Sequence, residues 1–277
     1  MKIVFWSNCP QSDVTSNMTA VGIMFSILFP SKVMMMTNHC NYGNLGRALL
    51  GSCYEEVLRE ESGYYSGTRN RHTIKRIEAV PNRHDIPKDA ENLSEDGLYY
   101  FAQGKLFNNE IYELRILDDL NHFFGYFNEN EYYVFIDTKS QDSISTVRLL
   151  ESADIVVVNL RQDEAMMRDF FKKYSAIAGK TFFIISEYRK RKGCSKNKFI
   201  NAFSIHPNCV AVIPYVPEFS PMIGDGRITE YVMKNHNCKK DSREYYYIWH
   251  IKKAARLLKR MIDQQPHLAI VSDQEYA

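Results

Sequence analysis

Apolar residues along the chain gather in short unbroken runs separated by polar or turn-forming residues. The clearest are KIVFW (2–6), KVMMM (32–36), YYVFID (132–137), DIVVVNL (154–160), KTFFIIS (180–186) and CVAVIPY (209–215). Continuous rather than alternating hydrophobicity predicts strands covered on both faces, as in a parallel sheet. Between these runs the spacing turns helical. Met167, Phe170, Phe171, Tyr174 and Ile177 share one face, with Asp163 or Gln162 as the cap and Gly179 as the stop. Ile248, Ile251, Ala255, Leu258 and Ile262 form another apolar face, opposite Lys252, Lys253, Arg256, Lys259 and Arg260. Strand–helix alternation of this kind predicts an α/β fold. The expected form is a three-layer, doubly wound, mostly parallel sheet with helices on both faces and right-handed crossovers.

Residues 55–130 depart from the pattern. They are polar and tyrosine-rich, and read as an insertion or lid within a single domain spanning 1–265. Helices are expected there around Asp96–Gln103 and Asn109–Phe124, with a weak strand near Thr73–Val80. Beyond Pro266 the chain reads as a flexible tail, 266–277.

Composition narrows the class only a little. A chain of 277 residues with 45% hydrophobic and 25% charged residues can bury a large core. A net charge of +2 implies no bulk attraction to nucleic acid and leaves room for a local basic patch. The six cysteines have no C-x-x-C spacing and read as reduced thiols of a cytoplasmic protein. The longest apolar stretch, Thr19–Phe29, falls short of the ~20 residues that span a bilayer, and no cleavage pattern follows it.

The opening MKIVFWSNCPQSDVTSNMTAVGIMF reads as strand, tight polar loop and helix, the layout that cradles nucleotide phosphates. Its loop, SNCPQSDVTS, has neither glycine nor lysine. In open α/β sheets ligands sit beyond the carboxyl ends of the strands, so the residues after each strand are informative. They are Asp13–Ser16, then TNHCNYGNL after the second strand, then Asp137 and Thr138. Ser152, Ala153 and Asp154 precede the next strand; Ser186 and Glu187 follow the fifth, and Pro214, Tyr215 and Phe219 the sixth. Gly226, Arg227 and Ile228 come last. In this order they resemble the landmarks of the ParA/MinD family of P-loop ATPases, TadZ-like proteins of pilus assembly included.

The resemblance implies a nucleotide over Asp13, Val14, Thr15 and Ser16, with Pro214 and Tyr215 near the base. It also implies Mg²⁺ shared by Thr15 and Asp137. Asp137 and Lys139 are then the catalytic candidates, Lys139 as a replacement for the missing loop lysine. Asp13 and Val14 stand where the family carries Gly-Lys. Glycines let backbone N–H groups converge on phosphate, and the lysine neutralises its charge; an aspartate repels it. Thr37, Asn38 and His39 likewise replace an expected acidic turn. ATP or ADP with Mg²⁺, and no cofactor at all, are equally compatible with these residues.

The function implied is that of a dimerising positioning, partitioning or assembly factor with a degenerate nucleotide site. The alternative is a scaffold of a pilus, secretion or conjugation machine that binds no nucleotide. Plainer roles stand beside these. Asp137 can end a strand and cap a turn, and Thr15 or Ser16 can cap a helix. The run EYRKRKGCSKNKF (187–199) holds six basic residues and one acid. Arg189, Lys190, Arg191 and Lys192 are candidates for DNA phosphates or an acidic partner, against the alternative of a solvated loop. Aromatic residues within it, Tyr188 and Phe199, are too few for base stacking. The last helix is read as packed on the sheet rather than lying on a membrane.

Overall fold

The computed structural model describes residues 1–10, 12–38, 44–50, 90–94, 97–101, 127, 132–138, 140, 143–191, 193–217 and 227–272. Eight strands form one sheet: β1 (Lys2–Trp6), β2 (Lys32–Asn38), β3 (Ala90–Ser94), β4 (Leu98–Phe101), β5 (Tyr132–Thr138), β6 (Ile155–Leu160), β7 (Thr181–Tyr188) and β8 (Val210–Pro214). Their order is β3-β4-β2-β5-β1-β6-β7-β8. Every pairing is parallel except β3 with β4.

Among the described residues seven helices flank the sheet: α1 (Val14–Leu28), α2 (Asn44–Leu50), α3 (Ile144–Ser152), α4 (Glu164–Lys173), α5 (Lys196–Ala202), α6 (Ile228–Asn235) and α7 (Tyr245–Ser272). Alternate residues of each strand feed two separate cores. Ile3, Phe5, Met35, Phe135 and Val157 pack with α1, α2, α6 and α7. Val4, Trp6, Met34, Met36 and Val158 pack with α3, α4 and α5. Both faces are therefore buried, which is why the runs read as continuous. The architecture is the expected three-layer α/β fold.

Helix α1 is buried on most of its circumference. Gly22 permits its approach: a Cβ there would lie 2.1 Å from the Met35 side chain and 3.1 Å from Phe135. Asp163 caps α4 by accepting from the N–H groups of Ala165 and Met166. The helix gives way at Tyr174 to a 3₁₀ segment, Ser175–Lys180, so Gly179 lies within a tighter helix and not at the α-helical end. α7 buries Ile248, Ile251, Ala255, Leu258 and Ile262 against the sheet and α1, leaving no free apolar stripe on those five positions. Its backbone continues past Pro266 to Ser272, where a tail was expected.

One element differs in kind. The segment expected as a helix around Asp96–Gln103 contains strand β4, whose LYYF sequence pairs parallel with β2 and antiparallel with β3. Aromatic residues suit a pleated, half-buried surface, and the otherwise free edge of β2 supplies one. The expected strand at 73–80 and helix at 109–124 lie outside the described residues.

Candidate functional site

β1 stands between β5 and β6. The chain leaves β1 toward β2 on one side and leaves β5 toward β6 on the other. The carboxyl ends of β1 and β5 thus form the point where the winding reverses, the usual ligand crevice of such sheets. Asp137, next to last in β5, lies beside Phe5 of β1 and Thr37 of β2.

The loop after β1 is built by side chains. Cys9 N–H donates to Ser7 Oγ at 3.2 Å, and Ser12 Oγ donates to the Cys9 carbonyl at 3.1 Å. Asp13 takes the left-handed conformation (φ 54°, ψ 32°) at the start of α1, and its side chain does not cap the helix. The first helical bond runs from Asn17 N–H to the Asp13 carbonyl, 2.9 Å. The amides of Val14, Thr15 and Ser16 therefore have no intrahelical acceptors.

Thr15 Oγ1 donates to Asp137 Oδ2 at 2.6 Å, and Asp137 is only 2% exposed. This joins two of the residues singled out from sequence. Beside them lies a buried net that sequence reasoning missed. Asn17 Nδ2 donates to Asn159 Oδ1 (2.9 Å) on β6 and to Ser186 Oγ (2.8 Å) on β7. Ser186 Oγ donates in turn to the Ser12 carbonyl at 3.1 Å. The signal available was Asn159 itself, a polar residue inside the apolar run DIVVVNL.

Among the described residues, charge at the crevice is mostly negative. Burial raises the Asp13 carboxyl above its ordinary range, and the nearby Glu187 carboxylate raises it further, while Arg161 opposes both. Arg161 Nη2 donates to Glu187 Oε2 at 3.2 Å. Arg161, at the end of β6, was not foreseen as a charge near the loop. Lys139, expected in that role, lies outside the described residues. Burial also pushes the Tyr247 phenol upward, with Tyr231 and Asp13 adding to it. Thr138 Oγ1 and Asn8 Oδ1 are buried without a hydrogen-bond partner among the described residues.

Pro214 ends β8, and Tyr215 follows with its ring under the Arg189 guanidinium, 3.9 Å from the centroid. The basic loop after β7 is held firmly. Gln162 Oε1 accepts from Arg189 N–H at 2.6 Å, and Gln162 Nε2 donates to the carbonyls of Arg189 and Cys194. Gly193 has φ 60°, and a Cβ there would lie 2.2 Å from the Gln162 carbonyl. Lys190 Nζ lies 5.7 Å from the Tyr246 ring centroid, Arg191 is exposed, and Lys192 lies outside the described residues. The run itself holds few aromatic residues, as expected, and the fold brings two more rings to it. Tyr215 comes from just after β8 and Tyr246 from α7, both outside the run, so a local reading could not find them.

Among the described residues no group of three or more His, Cys, Asp or Glu could hold a metal, and no helix is long and apolar enough to cross a membrane. His39 and Cys40 lie outside the described residues.

No protein-family model matches the sequence, and no curated protein matches it. Solved structures do. MinD from Pyrococcus furiosus, a cell division ATPase, superimposes with a TM-score of 0.66 over 94% of this chain and 98% of its own, at 12% identity. The fold is that of the MinD and ParA ATPases. The MinC:MinD cell division complex of Aquifex aeolicus gives 0.63 over 93% and 95% of the chains, at 14% identity. A plasmid partition protein of Borrelia burgdorferi, bound to AMPPNP, gives 0.59 over 94% and 98%, again at 14%. At these identities the MinD/ParA likeness is one of fold.

Proposed function

We propose that this chain is a MinD/ParA-like positioning or assembly factor whose first loop has lost ATP hydrolysis. Asp13 carries the reading: a carboxylate, pressed by Glu187, sits at the start of α1 where a triphosphate would need a cation. The residues present do not suit a triphosphate. Losing one oxyanion donor costs roughly 3–4 kcal/mol of transition-state stabilisation, and a lost cation costs no less. Thr15 and Asp137 keep the hard oxygen donors that Mg²⁺ prefers, and would hold it if a nucleotide entered. Their own residues otherwise orient one another: the Thr15 hydroxyl proton rests on Asp137.

In this reading two copies pair across the loop face, and the pair recruits a protein partner of a pilus, secretion or partitioning machine. A second reading, a scaffold that takes no nucleotide, is favoured by the Ser12–Ser186–Asn17–Asn159 net, which shapes the loop with no ligand. Calorimetry with Mg-ATP and Mg-ADP tests both. Weak binding that disappears in Thr15→Ala and Asp137→Ala, with no turnover above background, is the expected result. No binding at millimolar nucleotide selects the scaffold. Turnover abolished by Asp137→Ala overturns the proposal.

A further inference from the structure

β8 is the outermost strand on its side of the sheet. Between α5 and α7 its edge borders a cavity of about 240 Å³. Lys196, Lys253, His250, Asn197, Tyr188 and Trp249 line it, and no carboxylate is among its lining residues. Lys196 Nζ donates to the carbonyls of Val210 (2.5 Å) and Pro207 (3.4 Å), which leaves one of its three protons for another acceptor. Lys253 Nζ lies 4.9 Å from the Trp249 ring centroid, and Trp249 is 41% exposed. Tyr246 meets His250 edge-on at 4.8 Å and has Lys190 above it. None of these residues belongs to the loop after β1.

The electrostatics are those of a site short of negative charge. Burial lowers the Lys196 ammonium, and Lys253 lowers it further. His250 is held down at about 4, chiefly by burial; its hydrogen bond to the Val212 backbone opposes this, while Lys253, Lys190 and Lys196 add to it. Clustered lysines normally sit beside carboxylates or in open water; these share a concave surface with two large rings. The cavity is smaller than the ~300–1,000 Å³ of drug-sized sites, which limits it to one compact group.

We propose that this cavity and its exposed rim bind one nucleotide unit, a phosphate and a flat base joined through a sugar, with the phosphate in the cavity against Lys196 and Lys253 and the base outside it on Trp249. The unit comes either from a free nucleotide or from a single strand, which would continue past Tyr246 and Tyr215. Base stacking on an aromatic ring and charge contact with phosphate are the forces such a surface supplies.

Tryptophan fluorescence reads the site directly, because the chain has two tryptophans and Trp6 is fully buried. Titrating the full chain with AMP in Mg²⁺-free, low-salt buffer should quench Trp249 saturably. Trp249→Ala and Lys253→Gln, both at exposed positions, should each weaken calorimetric binding about tenfold or more. Lys252→Gln and Thr15→Ala should leave it unchanged. A single-stranded oligonucleotide binding at least tenfold tighter than AMP identifies a strand as the source, and equal affinity identifies the free nucleotide. No quenching at millimolar AMP, inorganic phosphate binding as tightly as AMP, or loss of binding in Thr15→Ala with retention in Lys253→Gln overturns the proposal.

Discussion

The crevice at the end of β1 and the flank of β8 are opposites in charge and in construction. Among the described residues the first gathers Asp13, Asp137 and Glu187 with Arg161 opposing them, and its shape comes from side-chain hydrogen bonds. The second gathers Lys190, Lys196 and Lys253 around rings of Tyr188, Tyr246 and Trp249, with no carboxylate lining it. A net charge of +2 conceals both. Among the described residues the crevice at the fold's switch point carries carboxylates, while the flank of β8 carries the cations. Fold and chemistry are separable, and function has to be argued from the site.

The largest test of this contrast concerns the buried net. Asn17→Ala removes the donor shared by Asn159 and Ser186 and leaves both buried oxygens short of a partner. Urea unfolding should show a loss of about 3 kcal/mol, against a few tenths for the exposed Arg260→Ala.

His250 comes next. Its folded value of about 4 lies below the ordinary histidine value of 6.5, so the unfolded chain binds the extra proton first. The stability it contributes is complete above pH 6.5 and is lost as pH falls toward 4. His250→Gln should flatten the melting temperature across that window without altering it above pH 7.

A smaller effect is expected from rebuilding the loop. Asp13→Gly with Val14→Lys restores a cation and a permissive backbone at the start of α1. Calorimetry should find Mg-ATP binding about tenfold tighter than in the parent, or about 1.4 kcal/mol. An unchanged affinity would place the obstacle elsewhere, in the Ser12–Ser186 contact.

The smallest concerns Asp13 alone. Its raised carboxyl favours the folded state only while protonated, so its contribution is present below the unfolded value near 3.8 and lost as pH rises through the folded value. Asp13→Asn should therefore raise the melting temperature at pH 7, and the gain should vanish toward pH 3.

Six strands were legible because strands buried on both faces leave unbroken apolar runs, and every one of those runs carries a strand. β3 and β4 were not. AENLS has no such run, and LYYF becomes a strand only by pairing with β2, where Leu98 meets Val33 from 65 positions away. At the crevice, Thr15 and Asp137 stand out in the sequence because one follows the first apolar run and the other closes the third, and the fold joins them by a hydrogen bond. The Asn17–Asn159–Ser186 net does not, since its members lie 142 and 169 positions apart along the chain. The aromatic partners of Arg189 and Lys190 escaped for the same reason: proximity there is made by the sheet, and no window along the sequence contains it.

The outer carbonyls of β8 have a consequence for assembly. Lys196 holds that of Val210, and His250 is bonded to the backbone at Val212. An incoming strand would have to displace both before it could add to the sheet at this border. Copies of the chain that meet on this side must do so through side chains, which makes the sheet a closed unit there rather than the seed of a fibre.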